Sequence, residues 1–225
     1  MTAASKCAHD WPAFIRANTL VMSPPLVPEI SLHLAEESLP IWRKTEEELG
    51  AINVPPPYWA FAWAGGQALA RHLLDHPALM AGRDVLDLGA GSGLTAIAAM
   101  KAGARSVLAA DIDAVALAAC ALNAEANTVA IATTADDLLA APPDERFTVI
   151  LVGDVFYERE LAERVLAFIE TAARNGARVL IGDPGRSYFP RDRFTQLAEH
   201  RVPVTRELED AEIKRTAVWQ LAPSA

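Results

Sequence analysis

Five short β-rich runs, at residues 84–88, 106–110, 128–133, 147–152 and 177–182, alternate with helical patterns at 94–102, 114–127 and 160–174. Strands separated by helical stretches of about 10–15 residues form βαβ units, and consecutive units lay their strands parallel. A short turn is expected near 137–140 between the third and fourth runs. Two last runs, 201–208 and 212–221, meet at Glu209-Asp210 with no helix between them, so they close the sheet as an antiparallel hairpin. The expectation is an α/β fold: a doubly wound, mainly parallel seven-stranded sheet with a terminal hairpin. Ahead of it lie a helix-like stretch from Asp10, a proline-punctuated segment at 19–34 and a helix at 36–49. The Pro55-Pro56-Pro57 run ends that helix, because proline has no N–H to give it. Another helix is expected at 65–74. Residues 1–81 thus read as an N-terminal helical and extended addition packed on a core at 82–225, one compact unit.

Charge and cysteine usage narrow the function classes. With 20 basic residues against 29 acidic ones the net charge is -9, a poor match for a phosphate backbone, so no nucleic-acid partner is expected. A lysine-bearing protein suits an acidic chain better. Cys7 and Cys120 stand far apart, which excludes a zinc knuckle and a disulfide scaffold. No apolar run reaches the roughly 18 residues of a membrane span. The first twenty residues carry only Lys6 and Arg16 as basic groups and are interrupted by Asp10 and Pro12, unlike a targeting peptide. A cytoplasmic monomer is the expectation.

The segment Val85-Leu86-Asp87-Leu88-Gly89-Ala90-Gly91-Ser92-Gly93-Leu94 follows a strand and opens a helix, the setting of a nucleotide-binding loop. Glycines there let the backbone approach a ligand that a Cβ would hold off. Leu94 occupies the position where a dinucleotide loop needs its third glycine, and no triphosphate-binding G-x-x-x-x-G-K-[ST] occurs. A dehydrogenase is thereby disfavoured. Asp111, at the end of the second run, can accept from both hydroxyls of a ribose, while Asp113 suits a cap on the next helix. Asp136 or Asp137, after the third run, could meet an adenine amino group. Carboxylates on successive strand ends line the edge of the sheet where α/β ligands bind.

This pattern resembles the class I (seven-β-strand) S-adenosylmethionine-dependent methyltransferases. Their first motif matches Asp87 to Gly93 and the acid of their second strand matches Asp111. The resemblance implies S-adenosylmethionine as cofactor, bound by Trp63, Asp87, Gly89, Gly91, Gly93, Asp111, Asp136 and Gly153. It also implies the terminal hairpin and an acceptor site after the fourth strand. There the chain reads Gly153-Asp154-Val155-Phe156-Tyr157, a D-x-x-Y in place of the N/D-P-P-Y of exocyclic-amine and glutamine-amide methyltransferases. D-x-x-Y is similar to the mark of a protein-lysine branch. Asp154 and Tyr157 are then the catalytic candidates. Asp154 would hydrogen-bond the lysine amine and aim its lone pair, and Tyr157 would pack along the lysine stem.

Three further stretches resemble the lysine methyltransferases of the electron transfer flavoprotein β-subunit: Pro28 to Leu32, the aromatic run Pro57 to Gln67 and Ile181-Gly182-Asp183-Pro184-Gly185-Arg186. The resemblance runs from about Pro28 to Trp219 and implies that flavoprotein subunit as protein substrate. Ala64 departs from the family's usual proline. A ribosomal or other protein, or a small amine, is the alternative acceptor, and a non-catalytic binding module the alternative class. The five histidines show no metal spacing and Ser92 lacks a hydrolase frame. Glu46-Glu47-Glu48 reads as a solvated helix face. Arg186 is open between substrate, cofactor and solvent.

Overall fold

A computed structural model describes residues 10–35, 56–204 and 212–221. The helix expected at 36–49 and the turn at Glu209-Asp210 lie outside them. The described elements are α1 (Trp11–Asn18), β1 (Leu20–Met22), β2 (Leu32–Leu34), α2 (Ala64–Asp75), β3 (Asp84–Leu88), α3 (Leu94–Lys101), β4 (Ser106–Ala110), α4 (Ala114–Ala126), β5 (Ala132–Thr134), β6 (Val149–Gly153), α5 (Arg159–Arg174), β7 (Arg178–Asp183), β8 (Phe194–Pro203) and β9 (Ile213–Leu221).

The main sheet has seven strands in the order β5-β4-β3-β6-β7-β9-β8. The first five are parallel, with Asp87 opposite Ala109 on one side and Leu151 on the other. β9 runs antiparallel between β7 and β8. From β3 the chain winds outward to β4 and β5, then returns to place β6 on the opposite side of β3. The crevice outside the carboxyl ends of β3 and β6 is therefore the topological switch point, the usual ligand position in such sheets.

Central strands are covered on both faces, so their side chains alternate between two apolar layers. Val85, Val149, Leu151 and Leu180 pack with Leu69 and Leu73 of α2 and Ile97 of α3. Leu86, Ile150, Val152 and Ile181 pack with Val165, Phe168 and Ile169 of α5. A third cluster joins Ile15 of α1 and Trp59 to Val115 and Ala119 of α4.

Three expectations change. The third strand is Ala132–Thr134, not 128–133, because Thr128 has φ 57° and its N–H bonds to Glu125 O, so it ends α4 instead. The hairpin starts at Phe194, seven residues before its expected 201, on a strand whose Thr195, Gln196 and Leu197 are exposed and hide its period. Within 19–34, β1 and β2 pair antiparallel, which the prolines obscured. Among the described residues no helix is long and apolar enough to cross a membrane, and no group of three or more His, Cys, Asp or Glu side chains is arranged to hold a metal.

Candidate active site

A cleft of ≈ 530 Å³ opens at the switch point. Its wall on the glycine-loop side contains Leu88, Gly89, Gly91, Asp111, Ile112, Asp136 and Leu138; the opposite wall contains Trp63, Gly153, Asp154, Tyr157 and Arg186. Eight of the ten residues singled out from the sequence therefore line it. Asp87 and Gly93 do not.

Asp87 is 1% exposed and lies behind the loop. Both its oxygens accept from Thr95 Oγ1 at 2.7 Å and Oδ2 accepts from the Ala96 N–H at 3.0 Å, so it pins the start of α3. Burial pushes its carboxyl up to about 6, against the pull of those donors. Gly93 caps α3 with φ 78°, and a Cβ there would lie 2.6 Å from Cys120 Sγ. Both residues hold the start of α3 and the shape of the loop rather than line the cleft. Gly89 and Gly91 also have positive φ, at 70° and 51°.

Asp111 is half-buried. Its Oδ2 accepts from the Gly91 N–H at 2.9 Å and its Oδ1 from the Asp113 N–H at 3.0 Å. It ties β4 to the glycine loop while each oxygen keeps a second lone pair. Asp113 caps α4 by accepting from the Val115 N–H at 2.8 Å, as expected from its position. Asp136 is exposed at the cleft edge and accepts from Thr134 Oγ1 at 2.8 Å. Asp137 instead pairs with Arg164 at 2.6 Å.

On the opposite wall Asp154 has φ 61°, a left-handed conformation that Asp tolerates better than most residues. Its N–H donates to Gly182 O at 2.9 Å. Its Oδ2 accepts from the Gly65 N–H in the first turn of α2 at 2.8 Å, and Oδ1 accepts from Arg186 Nε at 2.5 Å. This geometry depends on glycine: a Cβ on Gly65 would sit 2.3 Å from Gly182 O, and one on Gly182 would sit 2.0 Å from Gly65 O. Only two glycines let α2 touch the end of β7 this closely.

Tyr58, Trp63 and Tyr157 form an aromatic rim. Tyr58 lies 6.1 Å from Trp63 and 5.8 Å from Tyr157 between ring centroids. Trp63 Nε1 donates to Tyr58 O at 2.8 Å, and the Arg186 guanidinium lies 5.8 Å over the Trp63 ring. Tyr157 is 47% exposed, and partial burial, with nearby acidic groups, raises its hydroxyl above the ordinary tyrosine range. The sequence singled out Trp63 and Tyr157 but passed over Tyr58. Its Pro-Pro-Tyr setting reads as a turn, and only the fold brings it across to Tyr157.

The donor set fits a nucleoside carrying no phosphate. Asp111 and Asp136 are acceptors suited to hydroxyl and amino groups, and Ile112 and Leu138 offer apolar faces for a flat base. The two arginines of the lining, Arg164 and Arg186, are already bonded to Asp137 and Asp154. A pyrophosphate would find no cation on the glycine loop.

The chain is similar over most of its length to known methyltransferases. Residues 68–175 match the family model described as Ribosomal protein L11 methyltransferase (PrmA). The electron transfer flavoprotein beta subunit lysine methyltransferase of Danio rerio is 40% identical over 213 residues, covering 92% of this chain and 81% of its own. Among solved structures, the ribosomal protein L11 methylase of Lactobacillus delbrueckii subsp. bulgaricus superposes with TM-score 0.53 at 22% identity, covering 91% of this chain and 99% of that one. Magnesium protoporphyrin IX methyltransferase of Synechocystis PCC 6803, solved with bound S-adenosylmethionine, gives TM-score 0.51 at 16% identity, covering 70% and 80%. The two structures share the fold.

Proposed function

Because the chain belongs to the family of electron transfer flavoprotein beta subunit lysine methyltransferases, we propose that it methylates lysine side chains of that flavoprotein subunit. The observation that carries this reading is the 40% identity sustained over 213 residues, which takes in both walls of the cleft. The match to the ribosomal protein L11 methyltransferase model stops at residue 175, before β7 and Arg186. It takes in Asp154 and Tyr157 as well as the glycine loop, but it spans far less of the chain than the 92% covered by the flavoprotein-subunit methyltransferase, which is why the latter substrate is preferred.

S-adenosylmethionine, when bound, supplies an electrophilic methyl carbon on a sulfonium, whose C–S bond breaks as the N–C bond to lysine forms. The chain's own part is to orient, desolvate and manage one proton. Asp111 would take the ribose hydroxyls with its remaining lone pairs and Asp136 the adenine amino group. Gly89 and Gly91 would let the loop backbone lie against the nucleoside. Asp87 and Gly93 would keep the loop in that shape. Trp63 and Gly153 would border the methionine end. At the acceptor side the lysine stem would run along Tyr157 and Tyr58. Asp154 would accept a hydrogen bond from the amine, turning its lone pair toward the methyl carbon. The proton lost from the ammonium passes to solvent at the open mouth.

Intact-mass spectrometry of purified flavoprotein β-subunit after incubation with the enzyme and S-adenosylmethionine tests this. Expected are steps of about 14 Da mapped to lysine, lost with Asp154→Asn while cofactor binding persists. Asparagine tolerates positive φ, so the variant removes the charge and spares the backbone. An unmodified subunit, with cofactor binding demonstrated, would remove this substrate.

A further inference from the structure

Arg186 is bonded to the proposed acceptor group, Asp154, and the preceding mechanism gives it no part. Its Nε donates to Asp154 Oδ1 at 2.5 Å. Its backbone N–H donates to Asp183 Oδ1 at 2.9 Å, beside the Gly185 N–H at 2.6 Å. Its guanidinium stacks over Trp63 at 5.8 Å. Backbone and head group are thus fixed separately, and Asp183 that anchors the turn is 1% exposed. Such over-determination is more than a solvent-facing arginine needs.

The chemistry of the acceptor supplies a reason. A lysine ammonium has no lone pair and cannot attack. A carboxylate with no other partner would hold that ammonium as an ion pair and favour its protonated form. A carboxylate already bonded to a guanidinium forms a net-neutral pair, which can still accept a hydrogen bond but offers far less charge attraction. The geometry points to Arg186 as a positioning residue that neutralises Asp154, so that the acceptor lysine enters the site as an amine and not as a trapped ammonium. The inference rests on the reading of Asp154 as the acceptor's partner.

Other charged and titratable groups lie near the pair, among them Arg191, whose guanidinium nitrogen is 2.6 Å from where a Cβ on Gly185 would sit. Asp183 stands at the end of β7; burial pushes its carboxyl up to about 6. Tyr157 and Glu158 lie on the loop after β6, Tyr58 precedes α2, and Asp111 faces Tyr157 from β4. The first turn of α2 offers Gly65, Gly66 and Gln67, none of them charged. A pH profile read above about pH 7 is therefore clear of Asp183.

Two measurements test the inference. In the first, kcat for methylation of the flavoprotein β-subunit is followed against pH for the wild type, Arg186→Gln and Arg186→Lys. Loss of the cation should move the acid limb of Arg186→Gln alkaline by about 1 pH unit or more, the size of shift an opposite charge at contact produces. Its activity should fall about tenfold near neutrality and recover at high pH. Arg186→Lys should keep the wild-type limb. A uniform loss at every pH, with the limb unmoved, would reduce Arg186 to scaffolding and overturn the inference. In the second, n-butylammonium is titrated into each protein loaded with S-adenosylhomocysteine. Arg186→Gln should bind it about tenfold more tightly than the wild type; equal or weaker binding overturns the inference. This arm needs no protein substrate. If the wild type leaves the flavoprotein subunit unmodified, the substrate assignment fails and the butylammonium result still judges Arg186. Should Arg186→Gln fail to fold, Arg186→Met, which keeps a stem over Trp63, replaces it in both measurements.

Discussion

Gly65 and Gly66 are neighbours in the first turn of α2, yet substitution should treat them oppositely. A Cβ on Gly65 would meet the carbonyl of Gly182 at 2.3 Å, backbone against backbone, with no side chain free to swing aside. On Gly66 the nearest atom is Leu94 Cδ2 at 3.7 Å, an ordinary contact. Gly65→Ala should therefore lift α2 from β7, break the Gly65–Asp154 bond and cost about 2 kcal/mol or more. Gly66→Ala should be neutral or stabilise by up to about 1 kcal/mol, since alanine is the better helix former. Urea unfolding of the two variants checks this. A Gly65→Ala protein as stable as the wild type would mean that the close approach is not needed. The sequence marks both glycines alike, because what separates them is a partner more than a hundred residues downstream. The same limit explains Asp154 and Arg186. Each was legible as a candidate from its motif, but their bond to one another was not, since it depends on how two strand-end loops converge.

At the scale of elements, the glycine loop and α3 behave as one unit, because the buried Asp87 carboxylate holds the helix's first turn. Thr95→Val keeps shape and helix while removing the hydroxyl that reaches both Asp87 oxygens. It should cost about 1–3 kcal/mol, the penalty for leaving a buried acceptor short of a donor. S-adenosylhomocysteine affinity should weaken in parallel as the loop loosens, and titration calorimetry alongside chemical unfolding reads both. Unchanged stability would mean that the carboxyl is satisfied without Thr95. The strands on either side of this loop were the most legible part of the chain. β3 and β4 are doubly buried apolar runs ended by chemically distinctive residues, and the structure reproduces their expected bounds. Legibility fell at the sheet margins. β5 is three residues long and partly exposed, and β8 has one wet face, so neither displays a continuous apolar run.

Across the whole molecule, the α2–β8 flank carries a histidine group that ties stability to pH. His72 and His76 stack with centroids 4.3 Å apart, and the buried His72 Nδ1 and His200 Nε2 have no hydrogen-bond partner among the described residues. Burial first, then the charges of His76 and His200, lowers His72 to about 4. A folded-state value below the unfolded one means that the unfolded chain takes up the proton first as pH falls. The stability tied to His72 is therefore complete above about pH 6.5 and is lost progressively toward pH 4. Asp87 and Asp183, both raised to about 6, act in the opposite sense over part of that range, gaining protons in the folded state first. Comparison with His72→Gln isolates the histidine: between pH 7 and pH 4.5 the variant should lose less stability than the wild type, by on the order of 2 kcal/mol. Equal losses in urea unfolding at the two pH values would remove His72 as the cause. The position of the cleft at this scale was legible, because the winding order of the strands fixes the switch point. The closeness of α2 to β7 was not, since residues 1–81 read as an addition packed on the core with nothing to say which strand each part touches. The placing of β9 between β7 and β8 bears on how the protein is made. A nascent chain that has emerged only as far as Pro203 has β7 with a bare edge and β8 with nothing to pair with, so its sheet ends in unpaired amides and carbonyls that invite other chains. Asp183, paired in register with Ala217, marks where the late strand meets the turn that carries Arg186. The acceptor wall is thus among the last pieces to be locked during synthesis, and the interval between translating residue 203 and residue 221 is when the chain is most in need of a chaperone.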